Sequence, residues 1–367
     1  MTGAVHQFVA TAEPGAVGSH TLELQRLVRE ELGVASEIFT EHRRGPFTTR
    51  ARDFRDYGGA VAAGPDDVLV YQMAIGSVVA DYLAPRPERL ILEHHNLTPV
   101  RFLQSWDPGA TYGVEWGVRQ LHDLAGRSVL GIGDSRYNER DLIDAGYPRT
   151  AVCPVLFDLE GLAGPGDDAL ADRLARTRDA GGVDWLFTGR VSAHKCQHLL
   201  VRGLAAYRRL YDPAARLTLV GGPTDAPYVD AVRRYAAELG LGDAVTLTGP
   251  VSHAELVTYY RHADVFVSLS EHEGFCVPLI EAMWHRIPVV ALGSSAIPET
   301  VGDGGLVLPF AGRHQPGPAT VAAAVHRVLD DAVLRTQLVA AGAARAEHFS
   351  LPHSRRRMLD VLATVTP

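Results

Sequence analysis

Ser268–Thr300, SLSEHEGFCVPLIEAMWHRIPVVALGSSAIPET, is the stretch from which the fold is read. Val265 to Leu269, which runs into it, is a short apolar run; a glycine-containing turn follows, and from Val277 to Trp284 apolar residues recur at helical spacing. Pro288 to Leu292 (PVVAL) is a second β-branched run of strand length. Strand, helix and strand in that order make a βαβ unit, and the uninterrupted apolar runs mark its sheet as parallel and buried. Ligands in such sheets bind beyond the carboxyl ends of the strands, where His272, Glu273, Gly274, Phe275 and Cys276 must lie.

The helix start has chemistry of its own. The N–H groups that open it, around Cys276 and Val277, have no i−4 carbonyl, and Pro278 fits because a missing N–H costs nothing there. Amides at the positive end of a helix suit an anion or a ring of hydroxyls. Glu273 lies just before the helix and Glu281 one to two turns inside it, so both carboxylates can reach one pocket at its mouth. Each accepts from two adjacent hydroxyls, as on a ribose or a hexose.

The 367 residues suffice for roughly two domains of about 150 residues each. Hydrophobic residues at 46% and charged residues at 21% are those of a soluble globular enzyme, and a net charge of -8 argues against an obligate nucleic-acid binder. The N-terminus lacks a basic start followed by a long apolar core, and no run of about 18 apolar residues occurs, so a cytoplasmic location is expected. Cys153, Cys196 and Cys276 are far apart and without a CxxC pair, which signals neither a disulfide framework nor a structural zinc site.

In the first half, Val5 to Ala10 reads as a strand, Glu13 to Gly18 as a glycine loop, and Leu22, Leu24, Leu27, Val28 and Leu32 as a helix face. Gly15 and Gly18 admit a ligand or another backbone; the spacing is not GxGxxG, and a tight structural turn is an equal reading. Ala35 to Phe39, Asp67 to Tyr71, Arg89 to Glu93, Ser128 to Gly133 and Ala151 to Val155 are further strands. Arg43, Arg44, Arg50, Arg52 and Arg55, interleaved with Phe47 and Phe54, form the main basic cluster. It suits a phosphate-bearing acceptor or a peripheral contact with an anionic membrane, against the plainer reading of a solvated face. His94-His95-Asn96 follows a buried strand, where α/β domains place functional side chains, and a neutral imidazole there would donate to a sugar hydroxyl. Phe102, Trp106, Tyr112 and Trp116 either stack on a sugar or pack in the core.

Between Leu159 and Gly182 the composition shifts to Gly, Ala, Asp and Pro. This places a Rossmann-like domain at 1–160, a linker at 161–182 and a second Rossmann-like domain at 183–350. In the second half the strands Val183 to Phe187, Arg216 to Val220, Ala244 to Leu247 and Gly305 to Leu308 join the two already described, separated by helices such as Gln197 to Leu210 and Pro227 to Leu239. Repeated βα units mean a doubly wound sheet. Two such domains in series are expected to face each other across a cleft.

Val183 to Phe187 runs into Thr188-Gly189-Arg190, with Lys195 five residues on, at the same sheet edge as Glu273. Arginine grips a diphosphate bidentately and lysine adds a point charge, so the two can stabilise a departing nucleotide diphosphate without metal, the alternative being surface salt bridging. His194, Cys196 and His198 invite a metal reading, but the cysteine points away from the two histidines and no fourth ligand is marked; no metal or other cofactor is expected.

Gly189-Arg190 with Lys195, Leu219-Val220-Gly221-Gly222, Leu247 to Val251, and Glu273-Gly274-Phe275 leading to Pro278 to Met283 together resemble the family 4 retaining glycosyltransferases of GT-B fold, with Glu273 and Glu281 in that family's E-x7-E arrangement. The strong match covers roughly Val183 to Leu308. The resemblance implies that Arg190 and Lys195 bind the diphosphate of a nucleotide sugar, Glu281 the ribose, and Glu273 with the amides of Gly274, Phe275 and Cys276 the transferred sugar. It implies that the backbone near Pro250 and Val251 touches the base and that His95 contacts the donor sugar near its reacting carbon. It also implies that a C-terminal helix within 351–367 crosses back to the N-terminal domain, and that transfer occurs at the front face with retention, without an enzyme nucleophile. The chain departs from the family at Cys276 and Cys196, where glycine is common, and at His285-Arg286, where a small residue and glycine are common. The expected activity is transfer from a nucleotide-diphosphate sugar, foremost a UDP-sugar, to a polysaccharide, cell-envelope or small-metabolite acceptor. The alternatives are a nucleotide-sugar epimerase of the same architecture and a non-catalytic nucleotide-sugar-binding protein.

Overall fold

Strands β1 (Val5–Ala12), β2 (Ile38–Arg43), β3 (Ala51–Asp53), β4 (Val68–Met73), β5 (Arg89–His94), β6 (Ser128–Gly133) and β7 (Thr150–Val152) form one sheet in the order β3-β2-β1-β4-β5-β6-β7. A second sheet runs β10-β9-β8-β11-β12-β13, from β8 (Asp184–Thr188), β9 (Arg216–Val220), β10 (Val245–Gly249), β11 (Val265–Ser268), β12 (Val289–Leu292) and β13 (Leu306–Leu308). Every strand pairing within these two sheets is parallel. These are the two doubly wound α/β sheets read from the sequence. The computed structural model describes residues 3–179, 181–222, 226–312 and 314–365. Residues 1–2, 180 and 366–367, which fall in the expected first domain, linker and C-terminal helix, lie outside the described residues.

The chain divides into two units. The first comprises Met1–Gln104, Pro108–Asp158 and Phe349–Pro367, the second Ser105–Asp107 and Leu159–His348. In the first, Val5, Val68, Val70, Ile91, Leu130 and Ile132 line one sheet face and are covered by Leu24, Leu27 and Val28 of the Ala16–Glu31 helix. Met358 and Leu362 of the Leu351–Ala363 helix join the same cluster, so the last helix belongs to the N-terminal unit. Burying each such side chain contributes about 1.5–3 kcal/mol. In the second unit Trp185, on a central strand, is 1% exposed and packs edge-on against Tyr207.

Each sheet has a switch point where the chain, having moved outward on one side, returns to the other. It lies between β1 and β4 in the first sheet and between β8 and β11 in the second. Loops that leave the strands there diverge and open a crevice, the usual ligand position in such sheets. Arg190, Lys195 and Glu273 all follow β8 or β11.

The expected linker is a correction. Asp168–Asp179 is a helix of the second unit, with Leu170 buried and Thr258 Oγ1 accepting from Asp167 N at 2.7 Å. Its Gly, Asp and Pro residues cap and flank that helix. Trp106, read as part of the first domain, belongs to the second unit and packs edge-on against Tyr228 at 5.2 Å, which is core packing. No helix among the described residues is long and apolar enough to cross a membrane.

Candidate active site

The loop that leaves β8 is zipped to the one that leaves β9. Gly189 N donates to Val220 O and Val191 N to Gly222 O, both at 2.9 Å. Gly221 has φ 142, and a Cβ there would stand 2.1 Å from the Gly189 carbonyl oxygen, so only glycine fits. Gln197 Nε2 donates to the Arg190 carbonyl at 3.0 Å, which fixes the backbone while the Arg190 side chain stays exposed. Cys196, in the left-handed region at φ 54, then turns the chain into the Gln197–Leu210 helix. Lys195, just before that turn, reaches Glu273: Nζ stands 2.5 Å from Oε2, with the side chains 16% and 7% exposed. Both groups are thus largely withdrawn from water, where their attraction is less screened than at a surface.

Glu273 is held by the loop that leaves the neighbouring strand β12. Its N–H donates to Ser295 Oγ at 2.7 Å, and its carbonyl accepts from Ala296 N at 3.3 Å. Thr300 Oγ1 donates to the Phe275 carbonyl and Ser294 Oγ to the Ser270 carbonyl, each at 2.5 Å. Sequence reasoning assigned no role to Ser294, Ser295 or Thr300; the available signal was their place just past the strand beside β11. Cys276, at φ 74 and ψ 67, opens the Val277–Trp284 helix with Pro278 in its first turn, and Gly274 and Phe275 precede it. Burial, reinforced by the Glu273 charge, pushes the Cys276 thiol well up, so it is a neutral group beside the carboxylate.

Glu281 lies on that helix, and its Oε2 accepts from Tyr260 Oη at 2.6 Å. Burial raises the Glu281 carboxyl above its ordinary range, with the Tyr260 hydrogen bond pulling the other way. Pro250 and Val251 leave β10 immediately before a Ser252–Glu255 capping box that starts the His253–His262 helix carrying Tyr260. The second unit therefore joins Lys195 to Glu273 directly and sets Gly189, Arg190, Gly274, Phe275 and Cys276 on the same two loops.

Gly15, Gly18 and His95 lie in the first unit. A Cβ on Gly18 would stand 1.9 Å from the Glu13 carbonyl oxygen, so this glycine serves a close approach of backbone to backbone; Gly15, at φ 145, has open space where a Cβ would be. The His95 side chain is only 2% exposed. Its Nδ1 stands 3.0 Å from Asp134 Oδ2 and its Nε2 2.5 Å from Gln72 Oε1. Burial pulls His95 down, but Asp134 and Glu93 outweigh it and hold it above its ordinary value. On the same sheet face, Glu93 pairs with His20 at 3.0 Å with both side chains 0% exposed. His20, Glu93 and His95 offer three ligand atoms within 4.8 Å of one another, yet each is already committed to the pairs just described.

The sign of the His95 shift gives a stability prediction. A raised folded value contributes stability that is complete below about pH 6.5, the unfolded value, and is lost as pH rises through the folded one. The melting temperature is expected to decline above about pH 6.5 by an amount that Asp134→Asn removes. Thermal melts across that range check it; an unchanged slope in the variant would rule out the Asp134 pairing as the cause.

His194, Cys196 and His198 do not converge. His194 Nδ1 is 3.0 Å from Ser192 Oγ, His198 Nδ1 is 2.9 Å from Tyr228 Oη, and Cys196 Sγ donates to the Ala193 carbonyl at 3.4 Å. In the basic cluster, Arg44 pairs with Glu13, Arg52 with Glu37 and Arg55 with Asp53, while Arg43 donates to the Ala51 carbonyl. Phe47 and Phe54, interleaved with them, are buried. Arg50 is exposed.

Residues 175–345 match the family model described as Glycosyl transferases group 1. A D-inositol 3-phosphate glycosyltransferase of Kineococcus radiotolerans is 31% identical over 261 residues, 67% of this chain and 58% of that protein. The chain spans less than two thirds of the length of the first curated relatives it matches. Among solved structures, Anabaena Alr3699/HepE in complex with UDP and glucose aligns at TM-score 0.77 and 19% identity, covering 99% of this chain and 100% of that one. Sucrose-phosphate synthase from Thermosynechococcus elongatus aligns at TM-score 0.77 and 19% identity, covering 99% of each. At that identity the likeness shows the GT-B fold.

Proposed function

We propose that this chain, which belongs over residues 175–345 to the group 1 glycosyl transferases, is a retaining glycosyltransferase that moves a sugar from a UDP-sugar onto a small-metabolite acceptor. The observation that carries the reading is the Lys195–Glu273 contact at the switch point of the second sheet, with Arg190 exposed on the same loop. A diphosphate arriving there competes for the Lys195 ammonium and leaves the Glu273 carboxylate to accept from sugar hydroxyls. Arg190 and Lys195 then hold the charge that develops on the departing diphosphate, which is where preorganised cations lower a barrier most. Glu281 takes the ribose, Pro250 and Val251 meet the base, and Gly274, Phe275 and Cys276 flank the sugar. A leaving phosphate oxygen takes the acceptor proton as the new glycosidic bond forms on the same face, so no side-chain nucleophile is needed and no metal is required.

The name of the curated relative, which places its acceptor among inositol phosphates, supports a small polyol or its phosphate as the acceptor class.

The test is a panel of nucleotide sugars and acceptors with the product read by NMR. The expected product keeps the donor's anomeric configuration, and the donor raises the melting temperature as its concentration passes the dissociation constant. An inverted anomer contradicts retention. Product from donor alone marks an epimerase, and saturable binding without transfer across the panel marks a binding protein.

A further inference from the structure

Tyr260 stands against Glu281, Thr188, His285 and Phe266, and the proposed reaction gives it no role. It is fully buried on the His253–His262 helix, and its phenol donates to Glu281 Oε2 at 2.6 Å. Thr188 Oγ1 stands 2.6 Å from the same phenol oxygen. With the phenol proton committed to the carboxylate, the threonine hydroxyl is the donor to Tyr260. Thr188 is the last residue of β8, two before Arg190. On the ring face lies His285, centroids 5.1 Å apart and planes at 9°, and Phe266 stacks at 6.3 Å. Burial pulls His285 down to about 4, so it packs as a neutral ring near neutral pH. His285 is one of the positions at which the chain departs from the family pattern.

We propose that Tyr260 is a positioning residue for ribose recognition: clamped by His285 and oriented by Thr188, it occupies one oxygen of Glu281 and aims the other at the ribose diol. The inference rests on the proposed role of Glu281 and deepens it. A carboxylate with a free torsion loses orientation as well as a hydrogen bond, whereas one pinned through Oε2 presents Oε1 in a single direction. The chain Thr188–Tyr260–Glu281 also ties the ribose anchor to the end of the strand that leads into the diphosphate loop. Tyr260 touches neither sugar nor diphosphate in this scheme, so its loss acts on nucleotide affinity and leaves turnover of bound donor nearly unchanged.

The experiment compares the full chain with Tyr260→Phe and Thr188→Val for binding of UDP and 2′-deoxyuridine diphosphate by calorimetry, with melting temperatures in parallel. Tyr260→Phe is expected to weaken UDP about tenfold and the 2′-deoxy nucleotide at most about twofold, so that the variant discriminates poorly between the two. Thr188→Val, which keeps the phenol, is expected to weaken UDP about threefold in the same sense, and decides the question if Tyr260→Phe does not fold. In turnover assays the donor KM rises and kcat holds. Equal weakening of both nucleotides, or a lowered melting temperature with UDP affinity intact, overturns the positioning role while the glycosyltransferase reading stands. A wild-type chain that binds neither nucleotide overturns both.

Discussion

Lys195→Ala is expected to lower kcat/KM for the donor by about 10²–10³-fold, the range seen when one preorganised charge or donor is removed from a developing anion. The same substitution strands Glu273. That carboxylate is 7% exposed and meets the Lys195 ammonium at 2.5 Å. Breaking a fully buried pair by deleting one partner costs about 3–5 kcal/mol, and the residual exposure of this pair puts the loss below that range. Activity and stability are therefore expected to fall together. Glu273→Gln separates them: the amide keeps the shape and its oxygen can still meet the Lys195 ammonium, but it has lost the charge and one of the two acceptor oxygens that the sugar hydroxyls use. Its turnover should fall with a smaller change in melting temperature. Steady-state kinetics and thermal melts on the two variants make the comparison. Full turnover by Lys195→Ala would remove the leaving-group role and with it the main support for transfer chemistry.

The parts of this arrangement that were legible in the sequence are those that a short window encodes. Pro288 to Leu292 reads as a strand because a central parallel strand is buried on both faces and its apolar run is unbroken; β12 is found there as Val289–Leu292. The Val277–Trp284 and Gln197–Leu210 helices fall within the expected bounds because apolar spacing and the turns before them agree. β2 is displaced from Ala35–Phe39 to Ile38–Arg43 because its carboxyl end is polar and exposed at the sheet rim, where the alternation that marks a buried strand has stopped. β3, three residues among arginines, pairs only with β2 at the sheet edge, so its existence depends on a partner strand and not on its own pattern. The helix at Asp168–Asp179 was hidden by flanking glycines and prolines and by having few apolar residues. In the site, Glu273 and Lys195 were each visible at strand ends, but their contact joins residues 78 apart in the chain. Tyr260 was not visible at all. A buried tyrosine in a helix reads as core, and nothing in the sequence couples it to a glutamate 21 residues later.

Gly221→Ala is expected to cost several kcal/mol of stability and most of the donor affinity. The added Cβ would stand 2.1 Å from the Gly189 carbonyl oxygen and 2.7 Å from its carbon, both backbone atoms of a neighbouring strand end, and no rotamer change relieves that. The residue also sits at φ 142, a conformation essentially confined to glycine. Relief requires the β8 and β9 loops to part, which breaks the Gly189–Val220 and Val191–Gly222 hydrogen bonds, each worth about 0.5–1.5 kcal/mol. Those bonds hold the backbone of Arg190, so the displacement passes directly to the proposed diphosphate contact. Gly240→Ala is the control for backbone strain alone. Gly240 has φ 70 and open space around its Cβ position, so the substitution should cost only about 1–2 kcal/mol and leave donor binding intact. Urea denaturation gives the two stabilities and calorimetry the two affinities. If Gly221→Ala matches Gly240→Ala in both, the strand ends are free to separate and the Arg190 loop is not held by this contact.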